Sequence, residues 1–332
     1  MGARGTHHAG RCSPCVRLAG TPILGNSPGN TTSQQEGRSV SERPGQRLRE
    51  AARRGTLAIP GAPNPLVARL IRAHGFGAMY LSGAAFSAAA LALPDIGLFT
   101  LSELVEEVGR LTRAADIPLV VDADTGFGEA VNVERTVTLL EAAGAAAIQL
   151  EDQRLPKRCG HLSGKSLVEP DEMCAKIRAA VSARRDESLV ILARTDARGV
   201  AGFDEAVDRA RRYVAAGADW VFPEALADAD EFARFAREVP VPLLANMTEF
   251  GKSPLLPLSV FQELKYAGVL FPVTLLRVAM KAVDAALAQL AAAGTQQGLL
   301  NSMQSRQELY DLLGYTQYEA RDRAYFSGDE SA

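Results

Sequence analysis

Cysteine and histidine are both scarce in this chain, which has 332 residues and only four of each. The cysteines, Cys12, Cys15, Cys159 and Cys174, are unevenly spaced and do not suggest a disulfide framework. A core of the size that this length allows needs no disulfide bonds, so we expect a reducing, cytoplasmic environment. Long apolar runs are missing as well. Without a run that could span a bilayer, no membrane partner is expected.

An excess of charge of one sign is also missing. Lysine and arginine together number 36 and aspartate and glutamate 39, which gives a formal net charge of -3. This balance gives no reason to expect nucleic acid or an anionic membrane surface as a partner. The chain is 47% apolar and 23% charged, which is an ordinary composition for a soluble globular enzyme.

The first 45 residues differ from the rest of the chain. They are rich in Gly, Pro, Ser, Thr and Arg and show no apolar periodicity, so residues 1–45 are predicted to form a disordered tail. His7, His8, Cys12 and Cys15 lie in this tail, but the spacing lacks the second pair of ligands that a structural zinc site needs. We therefore do not predict zinc here.

From Thr56 onward, short apolar runs alternate with helical patterns. The runs are apolar throughout, as expected for parallel strands that are buried on both faces. Eight such βα units predict a (β/α)8 TIM barrel, whereas an open doubly wound sheet would need fewer strands and a glycine-rich first turn. The eight runs are TLAIPG, AMYLSG, PLVVDADTG, AAAIQLED, LVILARTD, WVFPEA, PLLANMTEF and GVLFPVT.

The same pattern sets the expected domain boundaries. Residues 46–293 are predicted to form the catalytic barrel, and its eighth helix runs from Thr274 to about Ala293. Residues 294–332 contain a further helical pattern, NSMQSRQELYDLLGYTQYE, which is predicted to form an extension outside the barrel.

Polar residues follow nearly every predicted strand. The carboxyl ends of barrel strands meet at one face, where TIM-barrel enzymes place their catalytic groups. One such residue could simply cap a helix, but the whole set predicts an active site. Its members are Ser82, Asp122, Asp124, Glu151, Asp152, Arg194, Asp196, Glu224, Asn246 and Thr248.

The segment DADTGFG places Asp122 and Asp124 two residues apart on one predicted strand end, so both side chains point to the same side. Hard carboxylate oxygens at this spacing suit Mg²⁺, which takes one or two protein carboxylates and keeps several waters. Zinc is less suitable because no histidine cluster lies nearby in the sequence.

Cys159 lies in the segment KRCGH, after the fourth predicted strand. Lys157, Arg158 and His161 lie close to it in sequence, and positive charge lowers the pKa of a thiol. The thiol could therefore act as a nucleophile or transfer a proton. The alternative is a small buried residue in a turn.

Taken together, these motifs resemble the lyases of the isocitrate lyase and phosphoenolpyruvate mutase superfamily, most of all those that cleave 2-methylisocitrate. The resemblance extends from about Gln46 to Tyr318. It implies a Mg²⁺-dependent barrel, a C-terminal helix that packs on a neighbouring subunit, and a homotetramer. It also implies cleavage of 2-methylisocitrate to pyruvate and succinate. The motifs are LSGAA, LPDIG, DADTGFG, EDQ, PKRCGH, ARTDA, FPEA, LANMTEFG and YDLLGYTQYE.

The resemblance also implies roles for individual residues. Asp122 and Asp124 would hold Mg²⁺, with Glu151 beside the metal but not bound to it, and Cys159 would be the general acid. The remaining residues would bind the tricarboxylate substrate. They are Ser82, Gly83, Ala84, Asp95, Gly160, His161, Arg194, Glu224, Asn246, Thr248, Arg277 and Arg306.

Other substrates stay open. Isocitrate lyases resemble this chain with large insertions that are absent here, and a 2,3-dimethylmalate lyase would use the same machinery on a smaller acid. Leu270 and Pro272, in the segment that is similar to the family's selectivity wall, leave room for the extra methyl group of 2-methylisocitrate. From a different class, a catalytically silent barrel could serve only as a binding scaffold.

Overall fold

The computed structural model describes residues 43–158, 160 and 164–327. Most of the predicted tail, together with Cys159 and His161, lies outside these described residues. Within them the chain forms eight strands, one in each of the predicted apolar runs. The strands are β1 Leu57–Pro60, β2 Met79–Leu81, β3 Leu119–Asp122, β4 Ala147–Glu151, β5 Val190–Thr195, β6 Trp220–Pro223, β7 Leu244–Asn246 and β8 Gly268–Phe271.

The strands pair in parallel in two groups. Strands β2 to β6 pair in sequence order and form a five-stranded arc, and β1, β8 and β7 form a three-stranded arc. Single bridges join the arcs at two seams, Gly61 with Tyr80 and Val221 with Leu243. The ring is therefore closed, and the predicted TIM barrel is confirmed.

Helices surround this ring, and several begin at side-chain caps that the sequence provides. Thr100 and Glu103 form a capping box at the start of the helix Leu101–Ala114, and Asn64 accepts a hydrogen bond from the Val67 amide at the start of the helix Pro65–Ala73. The helices are α1 Pro44–Arg54, α2 Pro65–Ala73, α3 Gly83–Leu91, α4 Leu101–Ala114, α5 Ala130–Ala142, α6 Pro170–Ala183, α7 Arg198–Ala201, α8 Phe203–Ala215, α9 Ala229–Glu238, α10 Leu258–Glu263, α11 Thr274–Ala293, α12 Arg306–Leu313 and α13 Tyr315–Ser327, with a 3₁₀ helix at Gln297–Ser302.

Helix α1 packs at the amino ends of the strands and begins two residues before the predicted start of the barrel domain. Its Leu48 is fully buried. Its Arg49 lies 2.9 Å from one carboxylate oxygen of Asp219, and Arg184 lies 2.5 Å from the other. We call Arg49, Arg184 and Asp219 the amino-end cluster.

The last three helices leave much of their apolar surface exposed. None of the twenty residues of α11 is buried. Helix α12 contacts α2, where Arg69 donates a hydrogen bond to the Leu312 carbonyl at 3.1 Å. Among the helices of the described residues, none is long and apolar enough to cross a membrane. The exposed apolar side chains of this region include Val278, Met280, Val283, Leu287, Leu300, Met303, Tyr318 and Phe326.

Candidate active site

A cavity opens at the carboxyl ends of the strands. This is the face on which the sequence places the catalytic groups. Eleven of the predicted site residues line it together: Ser82, Ala84, Asp95, Asp122, Glu151, Gly160, Arg194, Glu224, Asn246, Thr248 and Arg277.

The other predicted site residues lie elsewhere or outside the described residues. Gly83 and Asp124 are next to the cavity, because the Gly83 amide donates to Asp122 and Asp124 contacts the lining residue Lys157. Arg306 is the first residue of α12 and is not among the residues that line the cavity. Cys159 and His161 fall outside the described residues, so their predicted roles stay predictions.

Asp122 ends β3 and is held from several sides. Its carboxylate accepts hydrogen bonds from the Gly83 amide at 3.1 Å, the Gln149 side chain at 2.9 Å and the Asp124 amide at 3.2 Å. Gly83 is the first residue of α3, which Ser82 caps. Three hydrogen-bond donors, one of them at the N-terminus of α3, fix the orientation of the Asp122 side chain.

Lys157 connects Asp95 and Asp124, which lie in two different loops at the carboxyl ends of the strands. Its ammonium group lies 2.8 Å from Asp124 Oδ1 and also pairs with Asp95, and the side chain is almost completely buried. Burial opposes the charge, but Asp124, Glu151 and other carboxylates outweigh it and hold the pKa of Lys157 above its usual value. Burial raises the pKa of Asp124 to about 7, although the nearby ammonium group acts in the opposite direction.

Asp124 also has an unusual backbone. Its φ of 48° lies in the left-handed region, which few residues other than glycine adopt and which Asp tolerates better than most. The conformation places its side chain beside Lys157 rather than continuing the strand. Residues held in this region cluster at functional sites.

Arg194 lies at the centre of the opposite group of acids. Its guanidinium group is 3.4 Å from Glu151, 3.0 Å from Asp196 and 3.1 Å from Glu224. Burial raises the pKa of Glu151 well above its usual value, and Arg194 offsets only part of that effect. The arginine is therefore fixed in place by three carboxylates, with Phe222 against its face at 5.2 Å.

Gly160 fits tightly against this group. A Cβ atom at residue 160 would lie 2.3 Å from Arg194 and 2.5 Å from Glu224, which is too close for any side chain. Glu224 is also held by the Asn246 amide at 3.2 Å. The loop after β4 therefore approaches the floor of the cavity at a position that only glycine can occupy without displacing these groups.

Sequence reasoning missed three contributors, Tyr80, Gln149 and the ion pairs of Lys157. The Tyr80 hydroxyl donates to Gln149 at 3.0 Å, and Gln149 donates to Asp122. Both residues lie inside strands and are almost completely buried. Their polar side chains in otherwise apolar runs were the available signal, since a buried amide needs hydrogen-bond partners.

The donor set fits a hard divalent cation. Buried carboxylates of Asp122, Asp124, Glu151 and Glu224 outnumber the buried cations Lys157 and Arg194. Glu151 Oε1 is buried without a hydrogen-bond partner. Within the described ranges no three His, Cys, Asp or Glu side chains form a ready-made metal cage. Two carboxylates completed by water and substrate are the arrangement that Mg²⁺ favours.

Comparison with known proteins assigns this barrel and its cavity to a family. The model of the phosphoenolpyruvate phosphomutase family matches residues 48–291, and the chain belongs to this family.

Among curated proteins, 2-methylisocitrate lyase of Aeropyrum pernix is 55% identical over 286 residues, which cover 86% of this chain and 92% of the relative. The 2-methylisocitrate lyase of Bacillus subtilis is 49% identical over 80% of this chain and 88% of the relative. These relatives confirm the resemblance that the motifs predicted.

Solved structures give the same family. A crystal structure of 2,3-dimethylmalate lyase superposes with a TM-score of 0.80 at 31% identity and covers 85% of this chain and 95% of its own. A phosphonopyruvate hydrolase complex with oxalate and Mg²⁺ has a TM-score of 0.78 at 33% identity, covering 86% and 99%.

Proposed function

We propose that this chain is a Mg²⁺-dependent carbon–carbon lyase that cleaves 2-methylisocitrate to pyruvate and succinate in the methylcitrate cycle of propionate use. The observation that carries the proposal is the identity of 49–55% to 2-methylisocitrate lyases over most of the chain. The lining of the cavity supports it, since acids that suit a metal and arginines that suit carboxylates lie in one small volume.

Asp122 and Asp124 would hold the magnesium ion, with Glu151 beside it. The orphaned Glu151 oxygen and the excess of buried carboxylates support this assignment. When bound, Mg²⁺ lowers the energy of an alkoxide and polarises a forming carbonyl.

The chain's own residues would bind and orient the substrate. Ser82, Asn246 and Thr248 line the cavity as hydrogen-bonding groups, and Arg194 and Arg277 supply positive charge for carboxylates. A base, to which the sequence assigns no residue, takes the proton of the substrate hydroxyl. As the C–C bond then breaks, the hydroxyl-bearing carbon becomes the carbonyl of pyruvate, and a carbanion beside a carboxylate is left on the succinate half. In this proposal the Cys159 thiol gives that carbon its proton and becomes a thiolate.

The preference for the methylated acid would come from the wall of the cavity. Leu270 and Pro272 line it, and Leu270 is fully buried. An apolar wall buries the methyl group of 2-methylisocitrate favourably. One methyl group gives only about 10–200-fold discrimination, so slow cleavage of isocitrate is also expected.

The proposal extends to assembly and location. A homotetramer in which C-terminal helices are exchanged between subunits would cover the apolar residues that α11 to α13 leave exposed, such as Val283 and Leu287. We place the enzyme in the cytoplasm, where the proposed thiol acid would stay reduced.

A pyruvate-release assay tests the proposal. Purified protein is supplied with Mg²⁺ and, in parallel, 2-methylisocitrate, isocitrate or 2,3-dimethylmalate. The expected result is the highest kcat/KM with 2-methylisocitrate. A higher kcat/KM with either other acid would contradict the proposed substrate, and no pyruvate from any of the three would favour a silent scaffold.

A further inference from the structure

The loop that follows β4 folds back on itself before α6 begins. Gln153 pairs with Leu167 in an antiparallel bridge. The Arg154 amide donates to the Ser166 carbonyl at 2.8 Å, and the Val168 amide donates to the Asp152 carbonyl at 3.0 Å. The two stems of the loop are therefore fixed to each other by backbone hydrogen bonds.

The side chain of Gln153 reaches from this stem to Arg158. Its amide nitrogen donates to the Arg158 carbonyl at 2.8 Å, and its oxygen accepts from the Arg158 amide at 2.9 Å. Gln153 is 1% exposed, so both bonds are shielded from water. A buried amide that loses such partners leaves the backbone unsatisfied, which makes the pairing specific.

Lys165 reaches from the opposite stem to Gly160. Its ammonium group donates to the Gly160 carbonyl and, at 2.6 Å, to Asp196 Oδ1. The lysine side chain is 1% exposed. Because the other oxygen of Asp196 accepts from Arg194 Nε at 3.0 Å, one buried carboxylate links this lysine to the arginine of the cavity.

We propose that Gln153 and Lys165 are positioning residues, which fix the backbone on either side of residue 159 at Arg158 and Gly160. The inference rests on the proposed function, in which the thiol at residue 159 delivers a proton. A reacting group needs placement to within a fraction of an ångström, and an error of 1 Å can cost about 10²-fold in rate. Lys165 has a second effect, since it also orients Arg194 through Asp196.

A purely structural role would give a different result, and the chain offers a matched control. In the amino-end cluster Arg184 makes the same two kinds of contact, to Asp219 at 2.5 Å and to the Leu189 carbonyl at 3.0 Å. It lies at the other end of the barrel from the cavity. Arg184→Met therefore removes comparable bonds without touching the proposed site.

The experiment measures kcat, KM and the melting temperature of four variants and the wild type. The kinetic assays are run well below the melting temperature of every protein. The variants are Gln153→Met, Lys165→Met, Lys165→Arg and Arg184→Met. Both methionine variants of the loop are expected to lower kcat about 10–100-fold. KM should change little in Gln153→Met and rise in Lys165→Met. Lys165→Arg, which keeps a donor, should recover part of the loss, and Arg184→Met should lower the melting temperature while kcat stays unchanged.

A second measurement separates this inference from the proposed function. The rate at which iodoacetamide modifies residue 159, followed by peptide mass spectrometry, requires no substrate. It should differ at least ~3-fold from wild type in both loop variants and not in Arg184→Met. If the wild-type protein releases no pyruvate, the proposed function is wrong. The alkylation rates alone then test whether Gln153 and Lys165 position residue 159. Loop variants with wild-type alkylation rates, or with unchanged kcat in an active enzyme, would overturn the positioning role.

Discussion

Both ends of the barrel contain ion pairs, but the exposure of these pairs and their balance of charge differ. In the amino-end cluster two arginines share Asp219, and all three side chains keep 17–23% exposure. At the carboxyl end Lys157 and Arg194 are 4% and 9% exposed and face more carboxylates than they can neutralise. Desolvation there raises the pKa of Asp124 and Glu151.

This difference shows which end is built for stability. A cation pair around one acid at a wet surface needs no function to explain it. Buried acids in excess of their partners cost several kcal/mol each in desolvation, and a core optimised for stability would avoid them. We infer that the carboxyl end trades stability for chemistry, and the following substitutions test that contrast.

The largest loss of activity is expected at the carboxyl end of β3, and a substitution near the amino end of the same strand is its control. Asp122→Ala removes a proposed metal ligand and should lower kcat/KM by about 10³-fold, because a metal supplies several kcal/mol to such a reaction. Asp116→Ala, just before β3 at the amino end, removes only an exposed pair with Arg47 and should leave activity unchanged. EDTA should abolish activity and Mg²⁺ restore it. Full activity in the chelator would refute the metal assignment.

The next effect concerns the two cysteines of the barrel. Cys159→Ser keeps the size of the side chain but raises the pKa of its proton far above the working range, so turnover should fall by about 10²-fold or more. Cys174 is buried in α6, and Cys174→Ser should have little effect on turnover. Similar kcat values in both variants would return Cys159 to the role of a small packing residue.

A smaller effect is expected at the wall of the cavity. Leu270→Phe fills space that the methyl group of the proposed substrate needs. The ratio of kcat/KM for 2-methylisocitrate to that for isocitrate should fall about 10-fold or more. Both substrates serve as controls for each other within one preparation. Equal losses on both would show that Leu270 does not select the substrate.

The smallest effect on activity is expected in the amino-end cluster. Asp219→Asn leaves Arg49 and Arg184 without their shared carboxylate and should destabilise the fold by about 1–3 kcal/mol. Thermal melting should show the loss, whereas kcat/KM measured at low temperature should stay at the wild-type value. A large fall in kcat/KM would mean that the two ends are coupled.

The fold could be predicted from the sequence because the strands of a barrel are buried on both faces. Their apolar runs, such as that around Val190–Thr195, are distinctive, and all eight runs form strands. Polar residues at strand ends were equally informative. Since neighbouring parallel strands end together, Asp122, Glu151 and Arg194 had to meet.

What could not be predicted depends on contacts across the ring. Lys157 was interpreted only as a neighbour of Cys159, yet its ammonium group pairs with Asp95 and Asp124, 62 and 33 positions away in the chain. The spacing of residues along the sequence does not predict such a contact. Arg306 shows the same limit, because the course of the chain after α11 decides which surface α12 meets.

The two arcs of the ring carry different parts of the candidate site, with the proposed metal ligands on one arc and the proposed selectivity wall on the other. The five-stranded arc carries Asp122 and Glu151, which lie at the proposed metal site, and also Arg194, which is proposed to bind a carboxylate of the substrate. The three-stranded arc carries Leu270 and leads into Arg277, which are proposed to shape the space for the acid. If these roles hold, mutations at Leu270 would change the accepted acid while the proposed metal site is kept. Such a layout offers a route by which one ancestral barrel could give rise to enzymes for different small acids.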